Sequence, residues 1–308
     1  MGRKKADRLI LGWDVGGTKS AAVVGTSAGA IVDRVEYPSN SAAKGSRGMI
    51  DEFVGHAKAM LKRHEGIAAV GVSIGGPLNA AKGLVIAPPH LPGWNNVPLA
   101  DILREELGLA VVIEHDAAAC LLAEWLWGAA RGMTHAAYLT CGTGIGAGLM
   151  IDGRIVRGPD GQSPEVGHIR LAEDGPDMFG KPGCVESFCG GEGMSKLAHW
   201  MFPSRFALPT DARVLDKLSR EGDVDARAVL AEAARRTGQL CAILADTFAP
   251  QVIVLGSLAR YFEQWWIEAI REEFAREALP ENARHARIVP AALGKDLQDL
   301  SAIAPCCT

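Results

Sequence analysis

Apolar residues run from Leu9 to Trp13, break at Asp14-Val15-Gly16-Gly17-Thr18-Lys19, and resume as far as Gly25. Runs this short, punctuated by glycine, predict strands near 8–15, 19–25 and 30–37. The period then lengthens. Residues 46–63 carry apolar positions at helical spacing, and Ile67 to Ile74 returns to a buried strand. A stretch rich in Gly, Pro and Asn, 75–97, holds Gly75-Gly76-Pro77 and Pro92-Gly93-Trp94 and reads as loops near a cleft. A helix opening near Pro98 and a strand at Ala110 to Ile113 follow, then an Ala- and Leu-rich helix over Ala117 to Trp127 with Asp116 at its N-terminus. Two further runs, His135 to Cys141 and Ala147 to Ile151, flank Gly142-Thr143-Gly144-Ile145-Gly146. Beyond them 190–249 reads as mostly helical, most clearly at Val224 to Phe248. A buried strand follows at Gln251 to Leu255, ending at Gly256-Ser257, and a helix from about Leu258 to Glu277.

The order strand, glycine turn, strand thus occurs twice, each time with helices behind it. This predicts an α/β protein of two related lobes facing each other across a cleft. We place the smaller lobe at 1–114, completed by the C-terminal segment near 297–308, and the larger at 115–296, with a hinge near 114–116.

Composition narrows the setting. The 308 residues suffice for two domains of ordinary size, with 48% apolar and 22% charged residues. A net charge of −4 offers no broad positive field for nucleic acid or an anionic membrane. No apolar run is long enough for a membrane span, and Arg3-Lys4-Lys5 is not followed by the apolar core of a signal peptide. Seven cysteines, an odd number without framework spacing, fit a reducing cytoplasm.

The turn Asp14 to Lys19 carries candidate chemistry. Gly16 and Gly17 permit a sharp bend that presents N–H groups to an anion, Thr18 adds a hydroxyl, and Asp14 can hold a hydrated Mg²⁺ or orient a phosphate. An ordinary hairpin explains the same residues. Asp116 is likewise readable as a helix N-cap or as a general base.

Three strand-terminal glycine sites in order, Asp14 to Lys19, Cys141 to Gly148 and Gln251 to Gly256, resemble the nucleotide cleft of the actin-like ATPase superfamily. Glu165-Val166-Gly167-His168 followed by Cys184-Val185-Glu186 is more specific. With Asp14-Val15-Gly16-Gly17-Thr18, Gly75-Gly76-Pro77, Pro92-Gly93-Trp94, Asp116-Ala117, Asp152-Gly153 and Gly183-Cys184-Val185-Glu186, it resembles the ROK family over nearly the whole chain. That family, named for repressors, open reading frames and kinases, includes kinases of hexoses and N-acetylhexosamines. The resemblance implies ATP and Mg²⁺ as cofactors, with Asp14, Gly16, Gly17, Thr18, Lys19, Gly142, Thr143, Gly144, Gly146 and Gly256 about the nucleotide. It implies Asp116 as catalytic base and Gly76, His115, Asp116, Glu165, His168 and Glu186 about the sugar. It also implies a homodimer.

Family members commonly pair the His168 position with three cysteines around zinc. Here Gly180-Lys181-Pro182-Gly183-Cys184 retains one cysteine, whereas Asp177 and Phe179 stand at the other two positions. With only His168 and Cys184 as sure ligands, a structural zinc is not expected. His115 stands where many of these kinases carry Asn, His90 where they often do, and Ser163-Pro164 replaces a small-Gly pair.

The leading expectation is therefore ATP-dependent phosphorylation of a hexose or N-acetylhexosamine, at the 6-hydroxyl, with Asp116 as base. A non-catalytic or altered-specificity sugar-binding protein is the alternative. A sugar-responsive regulator is disfavoured, because about eight residues before the first strand leave no room for a helix-turn-helix. Which sugar is used, and whether polyphosphate replaces ATP, are left open by these motifs.

Overall fold

The computed structural model describes residues 7–308, which divide into two compact units. The first takes the chain up to Arg131, with Val156–Ser163 and Ala292–Thr308. The second takes Gly132–Ile155 and Pro164–Ala291.

In the first unit the chain forms β1 (Leu9–Val15), β2 (Lys19–Thr26), β3 (Ile31–Pro38), α1 (Ser41–Arg63) and β4 (Ile67–Ile74). The small hairpin β5 (Leu78–Asn79) and β6 (Leu84–Val85) comes next, then α2 (Leu99–Leu107), β7 (Ala110–His115) and α3 (Asp116–Trp127). The sheet order is β3-β2-β1-β4-β7, antiparallel from β3 to β1 and parallel from β1 to β7. Strand β1 is central, and its run of buried side chains follows from being covered on both faces. On one face Trp13 stacks on Phe53 of α1 at 4.4 Å and 2°. Helix α1 contains Gly45 at φ 59°, so its regular helix begins only after that residue, close to the predicted 46.

The second unit contains β8 (Ala136–Cys141), β9 (Ile145–Ile151), β10 (Arg154–Ile155), α4 (Val185–Cys189), α5 (Gly191–Met201), α6 (Ala212–Arg220) and α7 (Val224–Phe248). It continues with β11 (Val252–Leu255), α8 (Gln264–Glu277), α9 (Pro280–His285) and β12 (Arg287–Pro290). Its sheet, β10-β9-β8-β11-β12, repeats the first in order and strand direction. Asp223 starts α7 by accepting from the N–H groups of Asp225 (3.1 Å) and Ala226 (2.9 Å). Gly238 lets α8 approach, since a Cβ there would fall 2.7 Å from the Ile270 carbonyl.

The chain then returns to the first unit and ends in α10 (Leu297–Ile303), which packs on β1, β4 and α3. A Cβ on Gly12 would press against Ala302 and Ile303, each at 2.9 Å, and one on Gly71 would run into the Ala302 carbonyl.

Two sequence expectations differ from the structure. The chain does not break at 114–116: β7 runs directly into α3, and α3 stays with the first unit because it packs on α10. The helix expected from Leu258 is a short 3-10 turn at Ser257–Arg260, with α8 starting only at Gln264. Segment 190–249 is mostly helical as expected, in α5, α6 and α7, with an irregular stretch at 202–211 between the first two. Among the described residues no helix is long and apolar enough to cross a membrane.

Candidate active site

Parallel pairing sets the first cluster. Val15 pairs with Ile74 and Ile74 with His115, so β1, β4 and β7 end side by side. The residues just beyond or at those ends, Asp14 and Gly16, Gly75-Gly76, and His115-Asp116, share the carboxyl edge of the sheet, where open α/β folds place their ligands. Of the sequence-predicted residues, Asp14, Gly16, Gly17, Thr18, Lys19, Gly76, His115 and Asp116 belong to this unit.

The turn after β1 is held through its carbonyls. Ser39 Oγ donates to Gly16 O (2.6 Å), the Ser39 N–H to Thr18 O (2.9 Å) and Ser41 Oγ to Gly17 O (3.5 Å). In a planar trans peptide the next N–H points opposite its carbonyl, so the Gly17 and Thr18 N–H groups face away from these serines. Close approach requires glycine at position 16, where a Cβ would fall 2.5 Å from the Lys19 carbonyl; a Cβ on Gly17 would lie a tight 3.1 Å from the His90 carbonyl. Lys19 is turned outward, its ammonium 2.7 Å from Glu36 and its side chain 68% exposed.

Asp14 sits in a negative surrounding. Burial above all, then the carboxylates of Asp299 and Asp116, push its carboxyl up to about 8, with Arg34 opposing. Some solvent still reaches the side chain, which moderates the effect. Asp299, on α10, is itself pushed up by burial; one of its oxygens accepts from Arg34 Nε at 2.7 Å, and the other, Oδ1, is buried without a partner.

Asp116 opens α3 with its side chain 45% exposed and its Oδ1 accepting from the Ala117 N–H at 2.6 Å. His115 is nearly buried. Its Nδ1 lies 3.4 Å from Asp116 Oδ1 and has no hydrogen bond, and its ring crowds Gly76, where a Cβ would fall 2.9 Å from Cδ2. Glu114, almost wholly buried, accepts from the His115 N–H (3.0 Å) and pairs with Arg157.

The second cluster gathers around the turn between β8 and β9, with Gly142, Thr143, Gly144, Gly146, Glu165, His168, Glu186 and Gly256 in the second unit. Glu186, at the start of α4, accepts from the Ile145 N–H at 3.1 Å. A Cβ on Gly144 would fall 2.8 Å from Glu186 Oε1 and one on Gly167 3.0 Å from Oε2, so this carboxylate lies between the glycine turn and the Glu165–His168 segment. The start of α5 braces the same turn: the Gly191 N–H donates to Gly142 O (2.8 Å) and the Glu192 N–H to Thr143 O (2.9 Å). Gly256 is forced by the Tyr138 hydroxyl, which occupies the space of a Cβ.

His168 is exposed and stacks on Phe179, with ring centroids 5.6 Å apart. Phe179 thus fills with a ring the position where a cysteine is expected, and Asp177 accepts from the Gly180 N–H (3.0 Å). Cys184 is buried and bridged through its backbone to Arg170. Among the described residues no three His, Cys, Asp or Glu side chains form a metal-binding group.

A pocket of about 730 Å³ opens beside this turn. Gly142, Thr143 and Ser257 line it together with Leu258, Arg260 and Tyr261. Its remaining wall is Gly191, Glu192 and Ser195 of α5, with Pro209 to Arg213 from the loop before α6 and its first turn. Sequence reasoning missed that wall, since nothing in those residue types or spacings marks a ligand.

Known proteins share this fold. The glucokinase of Halalkalibacterium halodurans is 30% identical over 94% of this chain and 92% of its own. The ROK hexokinase of Thermus thermophilus superposes with a TM-score of 0.84 at 32% identity, covering 96% of this chain and 97% of that one. The ROK family glucokinase of Streptomyces griseus, solved with glucose and AMPPNP, gives 0.80 at 28%, over 96% and 98%. Other relatives are repressors. The fold is that of the actin-like ATPases. Since the ROK family model matches residues 10–302, the chain belongs to the ROK family.

Proposed function

We propose that this protein is a carbohydrate kinase that transfers the γ-phosphoryl group of ATP to a hexose or N-acetylhexosamine, at the 6-hydroxyl. The observation that carries the reading is the shared carboxyl edge of β1, β4 and β7, with the braced Gly16–Thr18 turn, the Gly75-Gly76 bend and Asp116 side by side. Phosphoryl transfer needs little covalent chemistry from the protein and much positioning, and such an edge supplies it.

Asp116 accepts the proton of the attacking hydroxyl; its accessible carboxylate at a helix N-terminus suits both that role and a nearby anion. The Gly17 and Thr18 N–H groups and the turn at Gly142 to Gly144 hold phosphate oxygens, and the pocket beside Ser257 takes the nucleoside. Asp14 fits a cation: its carboxyl is pushed up to about 8 beside other carboxylates, so a nearby positive charge relieves the repulsion. Mg²⁺, when bound, neutralises phosphate oxygens and is held by one or two carboxylates plus the phosphates. His115, Glu165, His168 and Glu186 orient sugar hydroxyls, and Gly76 lets the sugar approach.

A coupled ADP-release assay over glucose, mannose, fructose, allose and the N-acetylated amino sugars tests the reading. Turnover on one or more is expected, and Asp116→Asn should lower kcat by about 10²–10⁴-fold while sugar binding persists. Near-normal turnover in that variant would overturn the choice of base. The eroded cysteine set, with Phe179 stacked on His168, favours altered sugar preference as the second reading. Binding of a sugar without turnover on any would select the sugar-binding alternative.

A further inference from the structure

Eight residues, Val156–Ser163, belong to the first unit although the chain on both sides of them belongs to the second. Two contacts within the first unit explain this. The guanidinium of Arg157 pairs with Glu114, whose side chain is only 4% exposed, and Gly161 seats its backbone against Asn79, where a Cβ would lie 3.1 Å from Oδ1. The segment is stiffened from within: Gly158 N–H donates to Gln162 O (2.8 Å), Gly161 N–H to Gly158 O (2.9 Å) and Asp160 N–H to Gln162 Oε1 (3.1 Å).

Both ends of this strap matter to the chemistry proposed above. Glu114 is the residue before His115-Asp116 and accepts from the His115 N–H. Pro164, where the strap ends, is followed at once by Glu165. A buried carboxylate facing a guanidinium tolerates little displacement, because the carboxylate left without that partner would be buried with its charge uncompensated. We infer that Arg157 is a positioning residue: through Glu114 it fixes the strap on the catalytic end of β7, and so holds His115-Asp116, next in the chain, in place for the sugar. The inference rests on the assignment of Asp116 to sugar chemistry.

The test compares Arg157→Gln and Arg157→Lys with the wild-type enzyme. For the sugar turned over fastest among glucose, mannose, fructose and N-acetylmannosamine, Arg157→Gln should raise the sugar KM at least tenfold with the ATP KM changed less than twofold. Arg157→Lys, which keeps a cation on Glu114, should recover the sugar KM to within threefold of wild type. Equal sugar KM values in all three enzymes would overturn the proposal, as would parallel rises in both KM values, the mark of general loss of structure. Hydrogen exchange with Mg²⁺·ATP alone gives a readout independent of turnover. Arg157→Gln should lose protection over 114–117 and 156–168, and wild-type protection there would equally overturn the proposal, whereas absence of turnover in the wild type would count against the kinase assignment alone.

Discussion

Asp14 shows how a single side chain can trade stability for chemistry. The unfolded carboxyl releases its proton near 3.8, the folded one near 8. Between those values the folded state keeps a proton that the unfolded state has lost, so this group lowers stability progressively as pH rises through the window and no further above it. Asn at this position should remove the loss. Calorimetry without nucleotide is expected to give closely matching Tm values for Asp14→Asn and wild type at pH 4, and a higher Tm in the variant at pH 9. Catalytic turnover should meanwhile fall sharply. Gly144 poses a different constraint, because its missing Cβ makes room for the Glu186 carboxylate. Gly144→Ala should displace Glu186 from the Ile145 N–H and lower kcat/KM for ATP by about tenfold, the value of one to two kcal/mol; unchanged kinetics would show that the turn has slack.

At the level of elements, strand–helix contacts decide which glycines are replaceable. Gly71 of β4 lies under the Ala302 carbonyl of α10, a backbone atom that cannot rotate away. Gly71→Ala should cost about 1–3 kcal/mol through displacement of α10. Gly55, in the exposed part of α1, has no atom within 4 Å of an added Cβ, and Gly55→Ala should gain about 0.5–1 kcal/mol. Denaturant melts of the two variants should therefore move in opposite directions.

The same elements show what was legible beforehand. The strands and the Gly16-Gly17 and Gly142–Gly146 turns announce themselves because short apolar runs bounded by glycine have few alternatives. So does α7, with its long buried face. Strand β12 and helix α10 are short and flanked by irregular chain, so periodicity has little to act on. Arg34-Asp299, Glu114-Arg157 and the pocket wall at Pro209 to Arg213 join positions far apart in sequence, and no spacing rule relates them.

For the whole molecule, burial governs reactivity. Cys120, Cys141, Cys184, Cys189 and Cys241 are buried, and burial pushes the Cys189 thiol up to about 12 and raises those of Cys141 and Cys241. A thiol so protonated is a poor nucleophile. Burial pushes the half-buried Cys306 thiol up to about 12 as well, so native protein treated with a water-soluble maleimide should take up label first at Cys307, with the other six reacting after denaturation; mass spectrometry of the labelled chain counts them.

The return of Ala292–Thr308 to the first unit also fixes an order of events during synthesis. Every residue of the second unit leaves the ribosome before α10 does, so that unit can complete its fold while the first still lacks a wall. Until then the faces of β1 and β4 at Gly12 and Gly71, made narrow to receive α10, stay uncovered. The part of the protein translated first is thus the part finished last, and a nascent chain stalled before Leu297 would expose its central strands to whatever chaperone stands nearest.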